Sequence, residues 1–155
     1  SYIIAPFAAC VMRCGDTIAV YHDTRVIGTF RNTVKKLEAG NHIIIFPEHK
    51  EGYNQILCKF QENFVDVARL YYKRTGKELQ FVPMYLAPRL RKFYFGKPIS
   101  FHADAPIAQE RRRICQALMD SITELAQELP EHIVVPYPNI PKKDYRTNHA
   151  TEAIL

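Results

Sequence analysis

The run His42-Ile43-Ile44-Ile45-Phe46 is continuously apolar and β-branched, and Pro47 ends it. A run without polar alternation reads as a strand buried on both faces, a setting that a parallel sheet covered by helices provides. Loops at the C-terminal ends of such strands gather ligands, so the residues just after Phe46 become the first place to look for a site.

The neighbouring segments fit this expectation. Thr17–Tyr21 is a short β-rich run, and His22-Asp23-Thr24 offers capping chemistry before a helix whose apolar face carries Val26, Ile27, Phe30, Val34 and Leu37. Gly40 stands where a C-terminal cap belongs. Phe60, Phe64, Val67, Ala68 and Tyr71 mark a second amphipathic helix that stops at Thr75-Gly76. Leu79–Leu86 reads as a strand, with Pro83 requiring a sheet edge or a strand end. Lys92–Phe95 and Ile99–Phe101 are strand-like and are separated by Gly96-Lys97-Pro98. Asp104 is the expected N-cap, with Pro106 in the first turn, of a long helix traced by Ile107, Ile114, Leu118, Ile122, Leu125 and Leu129 and ended by Pro130.

The expected fold class is therefore α/β, with a mixed, largely parallel sheet flanked by helices. Residues 1–130 form the expected domain, and 131–155 a Pro-rich tail that is extended or partly disordered. The most apolar stretch, Tyr2–Met12, falls well short of the roughly 20 residues needed to span a bilayer, and no basic residue precedes it as in a secretory signal. Cys10, Cys14, Cys58 and Cys115 follow no zinc-ligand spacing and read as reduced core thiols of a cytoplasmic protein, with no metal site expected.

A net charge of +5 favours an anionic partner. Charge alone does not choose among nucleic acid, anionic lipid and a phosphate-bearing substrate. No zinc pattern, RNA-binding aromatic block or basic recognition helix supports nucleic acid, which is not expected as a partner. The basic clusters are Lys35 with Lys36, Arg89 to Lys92, Arg111 to Arg113, and Lys142 with Lys143. Taken singly, each reads as a solvated helix face or loop end.

Three short blocks in order add a family reading. Phe46-Pro47-Glu48 ends the first strand, Val82-Pro83 follows about 35 residues later, and Phe95-Gly96-Lys97-Pro98-Ile99 follows that. Together they resemble the F-P-E, V-P and F-G-x-P-I blocks of the glycerolipid and lysophospholipid acyltransferases, over about Gly15 to Phe101. The resemblance implies a transferase that moves a fatty acyl group from acyl-CoA or acyl carrier protein to a lysophospholipid-like or glycerol phosphate-like hydroxyl. It implies no cofactor beyond that co-substrate, and peripheral contact with an anionic membrane at its inner face, to which Lys35, Lys36 and the Arg89 to Lys92 cluster are suited.

Acyl transfer needs a base for the attacking hydroxyl, donors for the oxyanion and a cationic site for phosphate. The resemblance makes Glu48 a supporting catalytic residue, with Phe46, Pro47, Val82 and Pro83 around the substrate. Arg25, His49 and Lys50 are the candidate phosphate ligands. Without the surrounding blocks Glu48 would read as a solvated loop carboxylate.

The sequence departs from the family in three places. Glu51 stands where the family has arginine in F-P-E-G-T-R-S, and Tyr21-His22 where it has Asp-Arg. None of the six histidines is followed by aspartate at the H-x-x-x-x-D spacing that supplies the general base. The resemblance places that block upstream of Ser1, so an N-terminally incomplete domain is expected. The competing reading is a non-catalytic relative that binds lipid or acyl groups without turnover.

Overall fold

The computed structural model describes residues 16–20 and 26–149, and the chain divides into two compact units, residues 1–43 and 44–155. The expected cap at His22-Asp23-Thr24, together with Arg25, Cys10, Cys14 and the Tyr2–Met12 stretch, lies outside the described residues.

In the first unit, helix α1 spans Val26–Glu38 and is followed by Gly40 at a φ of 84°, a conformation that favours glycine at a helix end. Its buried side chains are Thr29, Thr33 and Val34, whereas Ile27 is exposed, so the face turned inward is more polar than expected. Thr29 Oγ1 donates to the Ala19 carbonyl at 2.7 Å, and Lys36 pairs with Asp16, which ties segment 16–20 to the helix. That segment is not a strand.

In the second unit, a 3-10 turn at Glu62–Val65 runs into helix α2, Asp66–Thr75, which closes on Gly76 in the left-handed region. Strand β1, Gln80–Phe81, and strand β2, Met84–Ala87, are the two halves of the expected Leu79–Leu86 strand, divided by the buried Pro83. Strands β3, Lys92–Phe95, and β4, Ile99–Ser100, follow, and helix α3 spans Ile107–Gln127. Its N-cap is Pro106 rather than Asp104: the Pro106 carbonyl accepts from the amides of Gln109 and Glu110.

The largely parallel sheet is not formed. The described strands make two separate antiparallel pairs, β1 with β4 and β2 with β3. A parallel strand is stable only with neighbours on its edges and layers on its faces. Among the described residues nothing pairs with 42–46, so the run stays out of any sheet and Phe46 is 79% exposed. Pro83 explains the rest, because without an amide hydrogen it cannot continue a ladder, and the chain changes partner at that point.

Helix α3 organises this unit. Its first half buries Ile114, Cys115 and Leu118 against Leu57, Phe60, Val65, Ala68 and Phe101. Its second half places Ala126, with Ile122 and Leu125, against Ile56, Tyr85 and Ala87. Arg111 forks onto Asp66 through bonds of 2.8 and 2.6 Å, joining α3 to the start of α2. The segment after Pro130 doubles back: the Val134 amide donates to the Arg146 carbonyl at 2.8 Å, and Asn148 is fully buried at the C-terminus of α3.

Candidate functional site

Glu48 lies on the first arm of a tight loop whose second arm is residues 57–61. The two arms are laced by the Gln61 amide donating to the Pro47 carbonyl at 2.9 Å, His49 to Lys59 at 3.2 Å and Lys59 to Gly52 at 3.1 Å. The tip is held by Asn54, whose Oδ1 accepts from the amides of Ile56 and Leu57 at 2.7 Å each. Gly52 sits at a φ of 64°, and a Cβ there would come within 2.9 Å of the Lys59 Cβ, so both the backbone and the space favour glycine.

This lacing sets the state of Glu48. The side chain is half-buried, and burial pushes its carboxyl above the ordinary carboxylate range, while a hydrogen bond from the Cys58 amide pulls the other way. Cys58 is fully buried and its thiol is raised, first by burial and then by the nearby Glu48. Tyr53 is raised by burial first; the charges of Cys58 and Glu48 add to the rise, and Arg146 opposes it. Glu48, Tyr53, Cys58 and Arg146 thus form one electrostatic cluster.

The other expected site residues scatter. Phe46 points into solvent, Lys50 is exposed, and His49 uses Nδ1 to accept the Glu51 amide at 3.2 Å. Val82 is exposed and Pro83 is buried. Among the described residues no histidine bonds to Glu48, and no group of three or more His, Cys, Asp or Glu side chains could hold a metal.

The structure gives the F-P-E block a neighbour that the sequence did not foretell. Glu48 pairs across the loop with Phe60, and Phe60 with its neighbour Lys59 lines a cavity of about 480 Å³ against α3. Arg112, Gln116 and Met119 form the opposite wall, and a second cavity of about 310 Å³ continues along the helix from Lys59 to Thr123. Phe60 and Met119 give the lining its apolar part, Lys59, Arg112 and Arg113 supply cations, Arg113 being held by Glu110, and Glu62 adds one carboxylate. Burial, with a smaller contribution from Glu62, pushes the thiol of Cys115, also in the wall, up to about 12, which disfavours the thiolate.

The remaining two blocks are the two ends of one hairpin. The Gly96 amide donates to the Pro83 carbonyl at 2.9 Å, and a Cβ on Gly96 would lie 2.7 Å from Ser121 Oγ and 3.2 Å from the Pro83 ring. This gives V-P and F-G-x-P-I a shared physical reason: the proline ends the ladder, and the glycine lets α3 approach it.

Among the described residues no helix is long and apolar enough to cross a membrane. Models of known protein families, curated proteins and solved structures contain no match to this chain.

Proposed function

We propose that this chain is the acceptor-binding part of an acyltransferase that moves a fatty acyl group from acyl-CoA or acyl carrier protein to the hydroxyl of a lysophospholipid-like molecule. The observation that carries the reading is the pairing of Glu48 with Phe60, which sets the F-P-E block beside the segment that lines a cavity with apolar side chains and three cations, Lys59, Arg112 and Arg113. An apolar wall suits the acyl chain, and Lys59 with Arg112 suits the phosphate, replacing the arginines that the sequence blocks lack. Glu48, held half-buried and poorly solvated, orients the acceptor hydroxyl or the base that activates it.

Titrating the protein with a monoacyl glycerophosphate in a calorimeter tests this. Saturable binding is expected, weakened about ten-fold by Lys59→Gln or Arg112→Gln, the loss of one charge-assisted hydrogen bond. Binding that neither substitution changes would remove the cavity from the reading.

A second reading follows from the lack of a histidine bonded to Glu48 among the described residues: a relative that binds such a lipid without turnover. Acyl transfer by the full-length gene product separates the two, since only the first reading expects labelled acyl groups to move from acyl-CoA to the lysophospholipid.

A further inference from the structure

The hairpin of β2 and β3 has two unlike faces. Tyr85 and Ala87 turn inward to Ile56 and Ala126. On the other face the register sets Leu86 opposite Phe93 and Met84 opposite Phe95. Phe93 is 60% and Phe95 64% exposed, with Leu86 and the nearby Val82 also exposed. Strand pairs of this kind normally turn polar residues to water, so an aromatic outer face signals an occupant.

The charges around the face identify the occupant. From Leu79 to Ala103 there is no aspartate or glutamate, whereas Arg89, Arg91, Lys92 and Lys97 all fall within it. The hairpin turn, closed by the Leu90 amide on the Ala87 carbonyl at 3.0 Å, tucks Leu90 under and leaves Arg89 and Arg91 outward. All four cations are exposed, and none forms an ion pair among the described residues. We infer that the outer face of this hairpin docks on an anionic lipid bilayer, Phe93 and Phe95 entering the headgroup boundary while the four cations meet the acidic headgroups. A second copy is disfavoured as occupant, because two such faces would set four cations against four. The inference rests on the charge and exposure of the hairpin's outer face, not on Glu48 or the cavity, so it and the acyl-transfer reading can fail separately.

The test is co-sedimentation with vesicles of phosphatidylcholine alone and of phosphatidylcholine mixed with phosphatidylserine, at low and physiological salt. Binding to the mixed vesicles only, weakening as salt rises, is expected. The triple substitution Arg89→Gln, Lys92→Gln, Lys97→Gln should weaken it roughly a hundred-fold; Arg91 is left in place because its φ is 54°. The pair Phe93→Ser and Phe95→Ser should abolish retention while the thermal unfolding curve stays cooperative, since both side chains face outward. Equal binding to both vesicle types, no binding to the mixed ones, or variants that bind like the parent would overturn the inference. So would a wild-type dimer in velocity sedimentation that the serine pair dissociates.

Discussion

The hydroxyl of Tyr85 is hydrogen-bonded to Nε2 of His132 at 2.8 Å, while Nδ1 of the same ring donates to the Pro130 carbonyl at 2.7 Å. A carbonyl can only accept, so Nδ1 carries a proton. Both residues are buried, and the pair ties β2 to the segment that leaves α3. Tyr85→Phe leaves Nε2 without its partner and is expected to lower the unfolding free energy by about 1–3 kcal/mol, read from urea titrations.

The same tyrosine governs behaviour in alkali. Burial pushes its hydroxyl up to about 12 from the ordinary 10.0. The protonated form is thus favoured in the folded chain: this stability is complete below pH 10 and disappears as pH rises through about 12. Buried Cys115, also raised to about 12, contributes a loss of the same sign from pH 9.0 upward. Stability measured across that window should fall more steeply in the parent than in Tyr85→Phe, and equal slopes would exclude Tyr85 as a cause.

For Glu48→Gln the sign is opposite to that of a salt-bridged carboxylate. Its raised carboxyl favours the protonated form on folding, so the benefit is full below the ordinary 4.5 and is lost as pH climbs through the folded value. At neutral pH the glutamine variant is expected to unfold at a higher temperature than the parent, with the difference closing in acid. On the acyl-transfer reading the same change lowers turnover, so stability and turnover would move in opposite directions.

Gly96→Ala should cost about 1–3 kcal/mol, because its Cβ meets the buried Pro83 ring as well as the Ser121 hydroxyl. Combining it with Ser121→Gly should recover part of that loss in a double-mutant cycle. Simple additivity would show that the crowding comes from Pro83 alone.

Asn148 accepts the His132 amide at 2.9 Å and donates to the carbonyls of Ala126 and Leu129 at 2.6 and 3.2 Å. It therefore satisfies the last turn of α3 from a residue far along the chain. Asn148→Ala is expected to lose about 2–3 kcal/mol, and amide exchange should quicken first at Ala126 to Leu129.

The helices were legible in the sequence because their signals are local: Gly40 and Gly76 end α1 and α2 as expected, and the apolar face of α3 from Ile107 to Leu125 lies inward. The sheet was not. Ile43 to Ile45 carry strong strand preference, but a strand also needs partners, which composition cannot supply. For the site, the sequence pointed to the loop of Glu48, yet Lys50 and Phe46 turn outward and Lys59 with Arg112 take the cavity. Their meeting depends on α3 packing over Phe60, a long-range event without a motif; Arg112 read as part of a solvated basic cluster, and Lys59 carried no signal of its own.

The unpaired 42–46 run has a consequence in concentrated solution. Uncharged, β-branched and open along its backbone, it has the makings of a steric zipper, in which identical segments from many molecules stack into a fibril spine. Pro47 and Glu48 stand directly at its end as gatekeepers, one unable to donate to a growing stack and the other repelling its own copy in the next rung. The residues that start the loop of the candidate site therefore also guard this run against stacking on its own copies.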